Sequence, residues 1–442
     1  LLSTFHFPLS TIYYLCIMLP QILDIKSYFS RAATAFTALK ARNYRLYLSG
    51  MLFSTIGTWI QVVAMSWLVY RLTGDVLLLG VVAFAGHIPS VIITPLAGVY
   101  ADRMNRRKVI IATQIAMMVF AFILAFLVLS ETIEVWHLIV LAILNGFASS
   151  ADTPFRHAFV REMVDDQAQL QNAVALNSTL FNTARVIGPS IGGFLIALVG
   201  EGWCFAFNGV SFLAVVFSLL MMRITFVKKD AQKKSVIHDL AEGIKYSYKT
   251  IPIRYMLILV ISTGLFCLPF QTFLPVYAKD LFSGGSELYG LMVGVYGVGA
   301  LSGSVYLTSR KTVKTLPRVI MLAALIYTVC LLVFSMSDIL ALSLVALYIG
   351  GFGMITQYTS VNTMLQTVSD PDKVGRVISL YGMSFMTITP IGIIVLSALA
   401  DIYNVRWVVF ISVALSFIAL IIYTSNYKRV LWILRKRFQD LF

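Results

Sequence analysis

The run Gly98-Val-Tyr-Ala-Asp-Arg-Met-Asn-Arg-Arg-Lys108 places one acid and four bases in the seven residues from Asp102 to Lys108, between two long apolar segments. Ionised groups are costly in hydrocarbon and tolerated at its edge, so the run belongs in a tight loop between two membrane helices. The chemistry such a loop supports is reversible pairing. Asp102 can accept hydrogen bonds from a neighbouring helix N-terminus, which carries partial positive charge. Arg103, Arg106 and Arg107 can pair with it or with lipid phosphate, and Gly98 lets two helices approach closely. A bond made in one conformation only is a latch. A loop that merely kept positive charge on one side would need neither the glycine nor the acid.

Three further groups bear chemistry. In Ala184-Arg-Val-Ile-Gly-Pro-Ser-Ile-Gly-Gly193, Pro189 removes a backbone hydrogen bond and kinks the helix, while Gly188, Gly192 and Gly193 strip bulk at helical spacing so another helix can pack and slide. Arg185 falls some 20 Å along that helix at about 1.5 Å per residue, near mid-membrane, where a cation is a functional candidate and needs a partner. No acid is level with it; Asn145, backbone carbonyls or an anionic or oxygen-rich substrate would serve. Asp152 is the only acid inside a predicted span. Its spacing to Arg156 suits an i,i+4 pair, a reading favoured slightly over proton carriage. His87 titrates in the physiological range, although a lone helical histidine is more often a packing residue. A polar and aromatic set (Trp59, Gln61, Asn145, Asn182, Gln271, Tyr296, Gln357, Tyr358 and Tyr381) is expected to face a pore. With 17 Met and 30 Phe, it implies a broad amphipathic cavity.

The elements that position these residues follow from composition. Of 442 residues, 59% are hydrophobic and 12% charged, about half the charge of a soluble domain. The solvent is mostly lipid. Apolar runs predict twelve crossings, near 45–70, 76–100, 108–130, 136–159, 171–199, 203–222, 254–278, 287–309, 318–336, 339–366, 375–400 and 404–424. Of 34 Lys and Arg, 30 fall on the side of the termini; Arg71, Lys279 and Arg406 fall opposite, and Arg185 lies within a span. That bias predicts cytoplasmic termini and accounts for the net charge of +14 without nucleic acid. Residues 1–43 form an N-terminal segment, of which 1–17 are expected to precede a true start at Met18; a thirteenth helix within 1–20 is a weaker expectation. Two six-helix bundles, 44–222 and 254–424, flank a linker at 223–253. Its Val236, Leu240, Ile244 and Tyr248 predict an amphipathic helix on the membrane surface. The basic, apolar tail 425–442 reads as an anchor to anionic lipid.

The halves read as repeats. Gln61 and Gln271, Gly80 and Gly290, and Tyr70 and Tyr277 hold matching positions, although the loop 309–318 keeps the bases of 98–108 without its acid. Cys16, Cys204, Cys267 and Cys330 are isolated in apolar runs and read as packing residues, with no metal spacing. No zinc-protease, phosphate-loop or nucleophile-elbow signature occurs. An enzyme is not expected.

Gly98, Asp102, Arg103, Arg106 and Arg107 resemble the loop signature of the major facilitator superfamily, and Gly188-Pro-Ser-Ile-Gly-Gly193 resembles its fifth-helix exporter motif. Leu39–Tyr47, Gly57–Gln61, Trp67–Tyr70, Asp152–Pro154, Asn172–Asn177, Gly375–Tyr381 and Val405–Trp407 resemble the bacterial branch that includes the enterobactin exporter and the transmembrane secretion effectors. The likeness extends from about Ala38 to Tyr423, but the superfamily's fourth-helix Arg motif is not evident. The resemblance implies an all-α fold of twelve membrane helices in two pseudo-symmetric halves, acting as a monomer in the inner membrane. It implies proton-driven efflux of a small amphipathic drug, siderophore or metabolite, with membrane lipid as the other partner and no cofactor or metal. The rival is a signalling or assembly protein on the same fold, whose cavity would be blocked by bulky side chains.

Overall fold

The computed structural model describes residues 37–101, 103–164, 166–224, 236–310 and 313–437. Met18, Cys16, any helix within 1–20, and Asp102 lie outside them. The described chain is helical, without strands. Twelve helices are long and apolar enough to cross a membrane. In the first half they are α1 Arg42–Thr73, α2 Val76–Tyr100, α3 Arg106–Leu129, α4 Val135–Phe159, α5 Gln167–Val199 and α6 Glu201–Met221. In the second they are α7 Ile251–Leu281, α8 Ser286–Thr308, α9 Leu316–Met336, α10 Leu340–Val368, α11 Val374–Ile402 and α12 Val405–Ser425. Each predicted span has its helix, and α1, α5 and α7 run a turn or more longer than predicted because polar residues at the ends continue or cap the helix. Asp75 Oδ1 accepts from Leu78 N, Asn105 Oδ1 from Lys108 N and Asp166 Oδ1 from Gln169 N, and Gly74 closes α1 at φ 63°.

Two spans are not uniform. α7 passes from an α-helix through a 3-10 stretch at Leu268–Phe273 to a π-turn at Tyr277–Leu281, and α11 carries a π-turn at Ser384–Ile388. Such turns are rare and tend to mark functional positions.

The repeat expected from a few matched residues is visible in the packing. α1 packs on α5 and α6, α2 on α4, and α3 on α4 and α6; six helices later, α7 packs on α11 and α12, α8 on α10, and α9 on α10 and α12. The halves meet through the symmetry-related pairs α5/α8 and α2/α11, with smaller contacts of α7 on α1 and α2. The outward faces carry large apolar side chains, Phe126 69% and Phe217 65% exposed, as lipid contact requires.

The described chain ends share one face, here called the termini face; the other is the distal face. The three minority bases lie at distal ends and all have partners. Arg71 pairs with Glu201 at 2.7 Å, Arg406 with Asp338 at 2.6 Å, and the Lys279 ammonium sits 5.3 Å from the Tyr70 ring centroid. On the termini face the linker helix Val236–Lys249 docks on α11, with Gly243 against Arg376 and Glu242 paired to Arg376 at 2.9 Å, leaving Ile244 and Tyr248 exposed. A tail helix, Tyr427–Arg437, buries Val430 and Leu434 and exposes Trp432.

Candidate functional site: the seam between α5 and α8

α5 is positioned by its own glycines. A Cβ built on Gly188 would stand 2.5 Å from the Trp59 Cβ, and one on Gly192 would stand 3.2 Å from the Ile60 Cα, so both glycines seat α5 on α1. Gly193 faces the other half. Its Cβ would meet Ser286 O at 2.5 Å and the Gly290 Cα at 2.6 Å, while one on Gly290 would meet Pro189 O at 2.8 Å. The seam continues through Gly294 against Ser190 to Gly297, whose Cβ would lie 3.1 Å from the Val186 Cα and 3.5 Å from Arg185 O. Pro189 has no N–H to offer the Arg185 carbonyl, and that carbonyl is turned toward Gly297. α5 stays helical through Pro189.

The seam is one-sided. It runs from the distal end of α5 inward and stops at the turn that holds Arg185. From there toward the termini face, Phe181 is 51% exposed, and Val174, Ser178 and Thr179 are exposed as well. Every cross-half ring stack or side-chain hydrogen bond among the described residues lies distal to that turn or near its level. Trp67 stacks on Tyr289 at 6.2 Å, the Tyr70 hydroxyl donates to Asp280 Oδ2, and Ser90 Oγ reaches Met386 O at 3.5 Å. The halves therefore part toward the termini face, and Arg185 stands where they separate. Its guanidinium lies 5.8 Å from the Trp59 ring centroid, and Phe181 meets Trp59 edge-on at 5.9 Å. Arg185, Trp59 and Phe181 form one patch, with Asn182 partly buried beside them. The Arg185 side chain has no hydrogen bond or ion pair with any described residue.

Asp152 is 1% exposed and forms the expected pair with Arg156, Nε to Oδ2 at 2.5 Å, a charge contact outside hydrogen-bond angles. Its other oxygen accepts from Thr113 Oγ1 at 2.8 Å and Gln114 Nε2 at 3.2 Å. In the charged loop, Arg106 pairs with Glu162, just beyond α4, and donates through Nε to Ala101 O at 2.7 Å; Arg107 donates to Leu220 O at 2.9 Å. Arg103 is partly buried. These bases are tied to α4 and α6 of their own half. Close packing at Gly98 is not found: nothing lies within 4 Å of a Cβ placed there, because Gly98 sits on an exposed face of α2 while Ala97 and Ala101 turn into the core. His87 is exposed on α2, with no side-chain hydrogen bond to a described residue.

The pore-facing set divides. Trp59, Asn145, Asn182, Gln271 and Tyr381 are partly exposed. Gln61, Tyr296, Gln357 and Tyr358 are not pore-facing in this state, because each is buried among helices of its own half. Gln61 Oε1 accepts from Asn208 Nδ2 at 2.7 Å, joining α1 to α6. Thr263 Oγ1 of α7 lies 3.1 Å from Gln357 Nε2 and 3.0 Å from the Tyr358 hydroxyl; Tyr381 donates to Tyr358 O at 3.1 Å, and the Tyr296 hydroxyl meets that of Tyr327 at 3.5 Å. Unpaired polar groups are costly in hydrocarbon, and the halves supply these partners internally, Gln357 Oε1 alone of the four residues' side-chain oxygens being left without one. The expectations had not singled out Glu162, Asp280 or Thr263. An acid closing the fourth span opposite a basic loop was a usable signal for Glu162; nothing local marked the other two.

Among the described residues no cluster of His, Cys, Asp or Glu could hold a metal ion. Cys204 and Cys267 are buried, Cys330 is partly buried, and all three are free thiols.

A family profile described as transmembrane secretion effector matches residues 33–430. Relatives include the staphyloferrin A transporter of Staphylococcus aureus, 25% identical over 82% of this chain and 90% of that protein. The multidrug efflux pump Tap of Mycolicibacterium fortuitum is 27% identical over 80% of this chain and 88% of its own. Among solved structures, the nucleoside transporter NupG superposes with a TM-score of 0.66 over 87% of this chain and 99% of that one, at 16% identity, a likeness of fold alone.

Proposed function

The chain belongs to the transmembrane secretion effector family of the major facilitator superfamily, and from that premise we propose that it exports small amphipathic molecules from a bacterial cytoplasm by alternating access, in exchange for protons. It is a transporter and not an enzyme. One observation carries the finer reading: α5 and α8 are sealed from their distal ends to Arg185 and parted beyond it. A gap on one side of a seal is what a carrier needs in order to load. We read the bias of Lys and Arg as putting the termini face in the cytoplasm, and the family likeness as implying an inner-membrane protein that acts as a monomer. The open side is then the cytoplasmic one, the loading side of an exporter. The relative named as a multidrug efflux pump supports this direction, and it and the staphyloferrin A transporter support the substrate range.

Rocking about the α5/α8 seam would close the termini face and part Tyr70 from Asp280. The loop bearing Arg103, Arg106, Arg107 and Asp102 would latch one state. Asp152, the carboxylate buried deepest among the described residues, is our choice for the proton carrier. Its protonation would cancel the charge that holds Arg156, a change felt between α3 and α4. A blocked cavity, which the non-transporting rival requires, gains no support from Phe181 at 51% exposure beside the seam.

The test is accumulation of a panel of drugs, siderophores and dyes in inverted vesicles with an acidic interior. At least one compound should accumulate, a protonophore should abolish it, and Asp152→Asn should uncouple it from the pH gradient. If no compound moves with well-folded protein in the membrane, the proposal fails.

A further inference from the structure

We infer that the substrate this site takes is an organic anion with an aromatic body, its negative group held by Arg185 and its ring system lying against Trp59 and Phe181. The inference rests on the transport reading above. Arg185 is eighteen residues from one end of α5 and fourteen from the other, roughly 27 and 21 Å at the helical rise. With the ~30 Å hydrocarbon layer centred on this longer helix, Arg185 stands roughly 12 and 18 Å from its two edges, farther than its side chain extends. The charge must be answered where it stands.

Arg156, which also lies within a span, is answered by an acid, Asp152, and even at the helix ends Arg71 has Glu201, Arg106 has Glu162 and Arg406 has Asp338. Arg185 has none among the described residues, and the Trp59 ring attracts a cation without neutralising it. With the cleft open, water can solvate the guanidinium. Once the halves close over it, an unpaired charge is stranded in a low dielectric, and breaking or omitting a buried ion pair is strongly unfavourable. An anion delivered by the substrate removes that penalty. Arg185 then does two things: it selects the charge type, and it lets the loaded carrier close while the empty one resists. The planar guanidinium suits carboxylate, sulfonate or phosphate oxygens, which it can meet with two parallel hydrogen bonds. Gly188 contributes by seating Trp59 close to α5, which holds the ring within reach of Arg185.

The experiment uses the full chain in lipid nanodiscs. Several aryl sulfonates are each paired with the neutral sulfonamide of the same ring system, and binding is read from tryptophan fluorescence, with Trp59→Phe identifying the signal that arises at the site. Sulfonates stay ionised, so passive permeation does not confuse a parallel accumulation assay in inverted vesicles. Wild type should bind sulfonates about tenfold or more tighter than their sulfonamides, the scale of a hydrogen bond to a charged group. Arg185→Gln should lose that preference and Arg185→Lys should keep part of it. If no sulfonate is preferred over its sulfonamide, or if Arg185→Gln discriminates like wild type, the inference is overturned. Accumulation of neutral or cationic compounds without any sulfonate would overturn it too, while leaving the transporter reading intact. Failure of every compound to accumulate would strike that reading instead.

Discussion

The two seams that join the halves are equivalent by the internal repeat, yet they are built from different materials. At α5/α8, backbone meets backbone: Gly193 and Gly290 exclude side chains from both sides, and Pro189 O and Ser286 O complete the contact. At α2/α11 the distal contact is Gly80 against the Ser397 side chain. Deeper in, Ser90 donates mainly to His87 O of its own helix at 2.7 Å and reaches the Met386 carbonyl only at 3.5 Å. That carbonyl lies in the π-turn of α11. A backbone-to-backbone contact has nothing that can rotate away, whereas a hydroxyl and a π-turn can yield. The difference assigns α5/α8 the part of pivot and α2/α11 the part of compliant partner.

Four substitutions break or sharpen that comparison. The largest effect is expected from Gly193→Leu. Its side chain has only backbone to displace, so transport should fall to background, and labelling of a distal cysteine at Val199 should rise. Gly80→Ala presses on a side chain instead. It should cost about 1–2 kcal/mol of the closed distal state, as modest overpacking does, and Ser397→Gly in the same chain should restore transport. Asp280→Asn weakens the hydrogen bond from Tyr70 by about 1 kcal/mol, which should shift the ratio of distal-open to distal-closed molecules roughly fivefold, read by spectroscopic distance distributions. Ser90→Ala should change turnover by less than about twofold, because the bond to Met386 is at the limit of useful length. If Ser90→Ala proved as damaging as Gly193→Leu, the assignment of pivot and compliant partner would be reversed.

Much of the fold was legible before any coordinates. A crossing needs about twenty apolar residues and a loop needs charge, and both are one-dimensional patterns. The Asp152–Arg156 pair was legible for the same reason, since both residues lie on one helical turn. The faces of the helices were not. In lipid, a span is apolar on every side, so the period that tells inside from outside in a soluble helix is lost. Gln61, Gln357 and Tyr358 looked like pore residues and proved to be internal ties, to Asn208 and Thr263. The contact of Tyr70 with Asp280 is set by how distant helices are brought together and leaves no local trace, whereas that of Arg106 with Glu162 left only an acid at the end of a span opposite a basic loop. The glycines of α5 lie between these cases. Their spacing announced close packing, but only the structure divides them between α1 and α8.

The most direct test of the central claim is a pair of spin-label distances in the reconstituted protein. One pair, at Val199 and Glu287, spans the distal end of the pivot seam; the other, at Gln171 and Thr363, spans the termini face. All four positions are exposed. On adding a transported compound and lowering the pH, the distal distance should lengthen as the termini-face distance shortens. Two distances that stay fixed, or that grow and shrink together, would contradict a rocking carrier.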